Sequence, residues 1–501
     1  MIEEPSAVET TSRPDPGGTL AVGAAGTLLV LVAFTTPLTT LVSTAAGLGA
    51  GPGAQAWVLS AMNVGAAAGL LSSGAIGDDY GRRRTFIAGT LLLAGSSVLG
   101  ALAPNALVLI LARILQGLGG AAMLACGLGL IGHAFPEGPG RVRATGVWGA
   151  ALGAGVAVGP ILAAGLAAVG GWRLAYGAIA LAAAALAVAG RTLLSESRAE
   201  RPRPVDAAGT LLIGLGFAAL MAGLVEGRAG WNQPPVIALL ALGLALVVAF
   251  VAVERRITHP MLDLALFGRP DFLGATVAAL ASGAGVLALM SLVPTVLERG
   301  LNEGAVLAAV VLLAWSATSV VSALGARRLP SWASPRAQLV AGLVGCAAGQ
   351  LTLVGLTPES SIGRLLPGLL VAGAANGVLN AALGRQAVAS VPADRAAMGS
   401  GANNTARYVG SGIGITIVTV LLTRSGAAPG AAGLLSGWNV AVFLTVGFSL
   451  LGALVVLLAR ECTAKPEPFL ERRLAAVRLR KTTLPRTTVN QGKNDPKCAG
   501  P

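Results

Sequence analysis

Long apolar stretches recur along this chain of 501 residues, and each is close to the length that crosses a membrane. About 20 apolar residues in a helix span the hydrocarbon core of a bilayer, where backbone groups must find hydrogen-bond partners within the protein. Only 11% of the residues are charged, against about 25% in soluble domains. We therefore predict an all-α polytopic membrane protein with fourteen transmembrane helices. The predicted spans are 20–44, 56–76, 85–103, 106–132, 144–168, 173–190, 207–226, 235–253, 272–296, 304–325, 337–356, 365–389, 401–423 and 438–459.

The basic residues are distributed unevenly between the loops that join these predicted helices. The two tails and alternate loops contain 27 of the 35 lysines and arginines, whereas the remaining loops contain five. Because loops rich in lysine and arginine stay in the cytoplasm, we predict that both termini are cytoplasmic. The net charge of +13 then reflects membrane orientation and contact with anionic lipid headgroups. We expect no nucleic-acid partner.

Three further features narrow the class of protein. Residues 1–18 contain four acids and no basic n-region, so we expect no cleavable signal peptide. The four cysteines are far apart and lack the spacing of a metal site or a disulfide framework, and we expect neither a metal nor another cofactor. A composition rich in alanine, glycine and arginine suggests a GC-rich bacterial genome. We therefore expect a protein of the bacterial cytoplasmic membrane.

The predicted span 144–168 contains a dense series of glycines that ends at a proline. Gly146 lies near the opposite helical face from Gly155 and Gly159, so two neighbouring helices can approach the span closely. Pro160 removes a backbone donor and favours a bend. We interpret this segment as a moving joint between helices.

The loop after the second span reads Gly74-Ala-Ile-Gly-Asp78-Asp79-Tyr80-Gly81-Arg82-Arg83-Arg84. Gly81 suits a tight turn. Asp78 can pair with Arg82 or Arg83, or it can face the N-terminus of a helix. Arginines alone would provide a positive-inside signal, but the aspartate and the glycines exceed that requirement. Residues 74–84 are therefore a candidate functional motif, called the latch loop below.

The fourth span contains an arginine, Arg113, at a depth where charge is costly. Gln116 lies one turn away on the same helical face and can hydrogen-bond to the same partner. A structural alternative is that the arginine side chain extends to the membrane interface. The polar neighbour and the adjacent glycines favour a functional role.

These segments together resemble the major facilitator superfamily, and in particular its 14-span drug:H+ antiporter family. The latch loop is similar to the loop between helices 2 and 3, although Asp79 stands where the family usually has an arginine. Arg113 with Gln116 and Gly117 resembles the signature of helix 4. Residues 146–160 resemble the antiporter signature of helix 5, with Ala163-Ala164 in place of a glycine pair.

The resemblance implies two six-helix bundles with two extra central helices, and alternating access in which one bundle rocks against the other. The latch loop would fasten the cytoplasmic side to the start of the thirteenth span, and the glycine–proline helix would form part of the rocking seam. The implied domains are a tail 1–18, a bundle 19–190, a two-helix linker 191–268, a bundle 269–460 and a basic tail 461–501.

The carboxylate that this family usually places in helix 1 is missing, since residues 33–40 contain no acid. None of the 22 acids lies at the middle of a predicted span. Three explanations stay open. A helix-end acid, with Glu298 as the best candidate, couples transport to protons alongside Arg113 and Gln116; or the substrate carries the proton; or export is uncoupled.

A central cavity without an embedded carboxylate favours a neutral or weakly anionic amphipathic substrate over a lipophilic cation. Neutral polar and basic side chains within the spans are the candidates to line this cavity. They are Thr36, Thr40, Asn63, Asn376, Asn380, Asn404 and Arg407. Hydrogen bonding between helices is an alternative role for the polar members of this set.

We therefore predict a secondary active transporter that exports a drug-like or natural-product molecule in exchange for protons and so confers drug resistance. The alternative is an exporter dedicated to one secondary metabolite, either uncoupled or coupled through protonation of the substrate. A membrane enzyme fits less well because the spans lack a cluster of His, Asp or Glu, and a non-transporting sensor would lose the motifs described above. The expected partners are a small-molecule substrate, protons and the lipid bilayer, and we expect a monomer.

Overall fold

The computed structural model describes residues 15–199, 206–228, 230–257, 260–329, 333–424 and 430–459. Within these ranges the chain is helical and contains no strand. Backbone donors and acceptors inside a helix pair with each other, as an apolar environment requires, and only the groups at its ends need other partners. The predicted C-terminal tail, 461–501, and residues 1–14 of the predicted N-terminal tail lie outside the described residues.

Sixteen α-helices form the described part of the chain. They are α1 (Pro16–Thr35), α2 (Pro37–Leu48), α3 (Pro52–Tyr80), α4 (Arg82–Ala101), α5 (Ala106–Ala134), α6 (Pro139–Gly170), α7 (Trp172–Leu193), α8 (Ala207–Gly227), α9 (Pro234–Glu254), α10 (Pro270–Ala281), α11 (Ala288–Gly300), α12 (Ala305–Gly325), α13 (Pro335–Leu351), α14 (Leu366–Ala389), α15 (Ala396–Arg424) and α16 (Ala431–Leu458).

Thirteen helical segments of the described chain are long and apolar enough to cross a membrane. The remaining predicted span corresponds to α13, which has 17 residues and lies at the short end of the range that crosses a bilayer. Arg336 at its start donates to the Val456 carbonyl of α16 at 2.9 Å, and its Gly349 packs against the backbone of Ala372 in α14. Thirteen of the fourteen predicted spans therefore correspond to such segments, and α13 occupies the position of the fourteenth.

The first predicted span is interrupted in the structure, and a proline explains the interruption. Pro37 has no backbone N–H, so it cannot donate to the carbonyl of Ala33 four residues earlier. α1 accordingly ends at Thr35 and α2 begins at Pro37. Backbone carbonyls near the end of α1 are therefore available to side chains of other helices.

The ninth predicted span is also irregular, because a π-helical segment, Ser282–Leu287, separates α10 from α11. A Cβ added at Gly283 would lie 2.7 Å from the Ser411 nitrogen of α15, and one at Gly285 would lie 2.7 Å from the Thr445 carbonyl oxygen of α16. The glycines therefore permit backbone contact on two sides of this segment. Single π turns within α-helices are frequent at functional sites.

Two large clusters of buried apolar side chains form the interior. One is built mainly from residues between Val22 and Leu194, and it includes Trp148. The other is built from residues between Ala278 and Val456. The first cluster also takes in five residues of the second half, among them Ala387 and Ala397, so the two halves share buried apolar contacts. The domain boundaries given above stay predictions.

The helices α8 and α9 form a pair that packs on α3. A Cβ added at Gly243 of α9 would lie 2.8 Å from the Leu220 nitrogen of α8. The Trp57 indole of α3 donates to the Glu226 carboxylate of α8, and Arg228 donates to the Ser60 hydroxyl at 3.2 Å. Burial lowers the pKa of Arg228 below its ordinary value. Polar contacts thus fasten the pair to the first half of the chain.

Candidate functional site

The latch loop lies at the start of α15, where the two halves of the chain meet. α3 ends at Tyr80 and α4 begins at Arg82, so the chain reverses at Gly81 alone. Gly81 has a φ of 122°, which favours glycine because it lacks a Cβ. A Cβ there would also lie 2.7 Å from the carboxyl carbon of Glu196.

Asp78 is a fully buried carboxylate that connects the two halves. It accepts hydrogen bonds from Arg82 Nε at 2.7 Å and from the backbone N–H groups of Ala397 at 3.0 Å and Met398 at 2.7 Å. The first N–H groups of a helix lack partners within the helix and carry partial positive charge. Asp78 therefore caps α15 from another part of the chain.

A second ion pair lies beside this cap. Asp79 Oδ1 is 2.8 Å from Arg395 Nη1, and both side chains are largely buried. Arg82 also donates to the Ala393 carbonyl at 3.1 Å. Asp79 is the position at which the chain departs from the family pattern, and Arg395 is a partner that sequence reasoning left among the loop residues.

The other latch residues divide between the two sides of the loop. A Cβ added at Gly74 would lie 2.9 Å from the carbonyl carbon of Ala397, so glycine permits α15 to approach. Arg83 points elsewhere and donates to the Arg191 carbonyl of α7 at 2.6 Å. The sequence left Arg82 and Arg83 as alternative partners of Asp78, and the structure places Arg82 in that position.

A short segment after α7, residues 194–199, supports the latch loop, and sequence reasoning missed it. Arg82 N–H donates to the Ser197 carbonyl at 2.9 Å, and Ala199 N–H donates to the Asp78 carbonyl at 2.7 Å. Glu196 accepts from the Arg83 N–H at 3.0 Å. The segment is irregular and has no periodic pattern, so nothing in the sequence pointed to these contacts.

Arg113 is completely buried in α5, and backbone carbonyls surround its guanidinium group. It donates to Ala33 at 2.5 Å and to Phe34 at 3.1 Å, and at a longer distance to Val58. Ala33 is the residue whose carbonyl Pro37 leaves free. The negative end of the α1 dipole also faces this positive charge.

Gln116 extends this cluster, as its spacing from Arg113 predicts. The amide oxygen of Gln116 accepts from Arg113 at 3.1 Å, and its amide nitrogen donates to Ser97 in α4 at 2.8 Å. Arg113 is therefore satisfied by carbonyl groups rather than by a carboxylate. The interruption of α1 supplies hydrogen-bond acceptors in a span that lacks an acid.

The glycines of α6 contact different halves of the chain on its two faces. A Cβ added at Gly146 would lie 2.8 Å from the Ala323 carbonyl oxygen of α12. A Cβ at Gly155 would lie 2.7 Å from the Leu28 carbonyl oxygen of α1, and one at Gly159 would lie 3.1 Å from the Val32 Cα. α6 continues past Pro160 to Gly170, and its role as a moving joint stays a prediction.

The cavity candidates are all buried. Their exposed fractions are at most 8%: Thr36, Thr40, Asn63, Asn376, Asn380, Asn404 and Arg407. The two threonines and Asn404 each donate to the backbone carbonyl four residues earlier in the chain, which favours a structural role for them.

Four polar side chains near the junction of α6, α12 and α14 retain unused hydrogen-bonding capacity. Trp148 Nε1, Trp315 Nε1 and the side-chain oxygens of Asn376 and Asn380 are buried and have no hydrogen-bond partner among the described residues. Asn376 uses only its amide nitrogen, which donates to Ser319 at 3.0 Å. Buried polar atoms normally find partners, so these side chains are the strongest candidates for substrate contact.

Among the described residues, the buried carboxylates are Asp78, Asp79 and Glu254. All three lie at helix ends, in agreement with the absence of a mid-span acid from the sequence. Glu298 has an exposed side chain in the last turns of α11. Among the described residues, Glu298 is not a hydrogen-bond partner of Arg113 or Gln116. Its role in coupling stays a prediction.

Two packed halves, a cap across them and interrupted helices beside a buried arginine define a multi-pass membrane transporter. The sequence model of the Major Facilitator Superfamily matches residues 23–415, and the chain therefore belongs to this superfamily. The resemblance stated from the sequence and the predicted fold class are thereby confirmed.

Relatives of known description support the same placement. The puromycin resistance protein of Streptomyces alboniger is 32% identical over 450 residues, which cover 87% of this chain and 90% of that protein. The multidrug resistance protein Stp of Mycobacterium tuberculosis is 31% identical over 371 residues, which cover 73% of this chain and 68% of that protein. The tetracenomycin C resistance and export protein of Streptomyces glaucescens is 27% identical over 427 residues, covering 84% and 79%.

Solved structures show the same fold at low sequence identity. The human organic anion transporter MFSD10 has a TM-score of 0.65 at 17% identity, over 88% of this chain and 100% of that one. The proton:xylose symporter XylE has a TM-score of 0.61 at 14% identity, over 86% and 94%. Both likenesses concern the fold alone.

Proposed function

We propose that this protein exports drug-like or natural-product molecules across the bacterial cytoplasmic membrane by alternating access. The cap that Asp78 places on α15 is the observation that carries the mechanism. Its donors come from the second half of the chain, so the contact must break when the halves separate at this end. The similarity to the resistance and export proteins supports the direction and the substrate class.

The proposed orientation places the latch loop and both termini in the cytoplasm. Arg82, Arg83 and Arg84 lie at this end, as the positive-inside rule requires. The structure then corresponds to the state in which the cytoplasmic side is closed. We expect the protein to function as a monomer.

The proposed substrate is neutral or weakly anionic and amphipathic. Trp148 and Trp315 offer aromatic surface, and Asn376 and Asn380 offer amide oxygens that have no partner among the described residues. The completely buried Arg113 adds positive charge to the interior. Robust export of ethidium-like cations by the reconstituted protein would contradict this substrate class.

We propose that protons are exchanged for substrate. The half-buried Glu226, which accepts from Trp57, is a second candidate for the coupling group besides the exposed Glu298. Substrate-carried protons and uncoupled export are the alternatives that the sequence left open.

Purified protein in proteoliposomes with an imposed pH gradient tests the whole proposal. We expect substrate movement to follow the gradient and to fall when an ionophore collapses it. Glu226→Gln and Glu298→Gln distinguish the two candidate acids, because only substitution of the coupling residue should abolish the response to the gradient. Transport that persists without a gradient would overturn proton exchange, and transport of no tested resistance substrate would overturn export.

A further inference from the structure

A cavity of about 760 Å³ lies where the start of α6 meets the ends of α12 and α14. Arg143 of α6 lines it on one side. Arg327, Arg328 and Arg385 line it from the second half of the chain. Among the described residues that line it, none is acidic. The cavity, with the four arginines that line it, is called the arginine pocket below.

The four arginines line the cavity without an acidic partner among the described residues. Arg385 donates to the side-chain oxygen of Gln338, and Gln338 in turn donates to the Ala333 carbonyl at 2.8 Å. Arg143, Arg327 and Arg328 are exposed. None of the four arginines forms an ion pair with a described residue. The pocket therefore carries uncompensated positive charge.

Comparison with the latch loop shows what the pocket lacks. In the latch loop, Asp78 and Asp79 lie between positive groups of the two halves. The segment Ala323-Leu324-Gly325-Ala326-Arg327-Arg328 has the glycine and the arginines of that loop but no acid. Positive side chains from both halves then face one cavity, and like charges at close range repel. An anion from outside the chain would replace the missing carboxylate.

We propose that the arginine pocket binds the phosphate of an anionic phospholipid headgroup from the cytoplasmic leaflet. Arginine forms paired hydrogen bonds to phosphate oxygens. The neighbouring surface of α12 is apolar and exposed, with Val321 at 70% and Leu324 at 44% exposure, so it suits acyl chains. The orientation is that of the proposed function, and the site itself goes beyond it.

One bound headgroup would touch both halves of the chain. Arg143 belongs to α6, whereas the other three arginines follow α12 or end α14. The lipid would therefore stabilise the arrangement in which the start of α6 lies against the end of α12. Asp78 and Asp79 have the corresponding effect at the latch loop, where they hold α3 against the start of α15.

The test is the binding of phosphatidylglycerol to the purified full-length protein in mixed micelles, followed by native mass spectrometry and by the shift in thermal unfolding. The pocket variant is Arg327→Gln/Arg328→Gln. The matched control is Arg255→Gln/Arg256→Gln, which removes another exposed arginine pair at a helix end outside the pocket. At about 1 kcal/mol for each arginine, the pocket variant should bind roughly 30-fold more weakly, while the control stays close to the wild type.

Further measurements test which molecule binds and whether it joins the two halves. Phosphatidylcholine and inorganic phosphate should each leave the unfolding temperature unchanged, and Arg143→Gln should weaken lipid binding about fivefold. Equal loss in the control pair, or a full shift with inorganic phosphate, would overturn the lipid site. Unchanged affinity in Arg143→Gln would overturn the bridging. Because transport is not measured, this outcome is independent of the export proposal.

Discussion

Asp78 is a buried carboxylate whose hydrogen bonds come from both halves of the chain. Ionised groups are costly to bury unless they are paired and hydrogen-bonded. Arg82 supplies the countercharge, and the start of α15 supplies two donors that no helix satisfies internally. Asp78 therefore stabilises the contact between the two halves, and it loses two hydrogen-bond donors when they separate.

Replacing Asp78 with alanine should release the start of α15. The Ala397 and Met398 amides lose their acceptor, and Arg82 is left buried and unpaired. A loss of about 3 kcal/mol would speed local amide exchange roughly 100-fold. Hydrogen exchange of residues 396–399 by mass spectrometry measures this change.

Glu137→Gln is the control for that experiment, because its carboxylate is 82% exposed and pairs with Arg141 at 3.6 Å. An exposed pair contributes little to stability, so exchange near α15 should not change. Equal exchange rates in Asp78→Ala and the wild type would contradict the capping role of Asp78.

At the scale of the element, a proline after α1 and a glycine in α6 permit close contacts between helices in the interior. Pro37 divides the first span and frees the Ala33 carbonyl for Arg113. Gly155 lets α6 approach α1 closely. In both places the absent atom, a backbone hydrogen or a Cβ, permits a contact between helices.

Pro37→Ala should make the first span more regular and weaken the Arg113 site. The new N–H can donate to the Ala33 carbonyl and compete with the guanidinium group, whose charged hydrogen bond is worth about 1.5–3 kcal/mol. We expect the transport rate to fall at least roughly tenfold, measured in proteoliposomes. Pro234→Ala is the control, since the first residue of a helix has no internal acceptor for its N–H. A similar effect of both substitutions would contradict the explanation.

Gly155→Ala should overpack the contact between α6 and α1, with a cost of about 1–3 kcal/mol. Thermal unfolding of the purified protein and transport measure the two consequences. Gly165 lies on the same helix with nothing within 4 Å of an added Cβ, so Gly165→Ala should be neutral or stabilise the helix by up to about 1 kcal/mol. Equal effects at the two glycines would show that helix propensity, not the contact with α1, is responsible.

At the scale of the whole molecule, the two halves meet at junctions of opposite chemistry. Carboxylates of the latch loop join α3 to α15. The arginine pocket, where α6 meets α12, presents positive charge from both halves. Separation of the halves at this end, as the proposed alternating access requires, would disrupt both junctions, because each contains groups from the two halves.

An exchange of charges between Asp79 and Arg395 tests the junction at the latch loop. Asp79→Arg and Arg395→Asp each place like charges together, and each should reduce transport roughly tenfold or more. The double variant restores an ion pair and should recover transport to within about threefold of the wild type. Additive loss in the double variant would mean that the two side chains act independently.

Several structural features could be predicted because they follow from local chemistry. The apolar blocks correspond to the helices, and the glycine spacing in α6 correctly places Gly146 and Gly155 against different helices. The link between Arg113 and Gln116 follows from helical periodicity. The interruption at Pro37 and the π-helical segment were missed, since a hydropathy window averages over single residues.

The sequence by itself determined the membrane class, the helical fold and the motifs that carry the superfamily pattern, because the bilayer imposes span length and backbone pairing locally. Only the tertiary structure decided the partners. It paired Asp79 with Arg395 across 316 positions of sequence, supplied Arg113 with carbonyls in place of an acid, and gathered four arginines around one pocket. Such contacts depend on which faces of distant helices meet, and no local pattern encodes that choice.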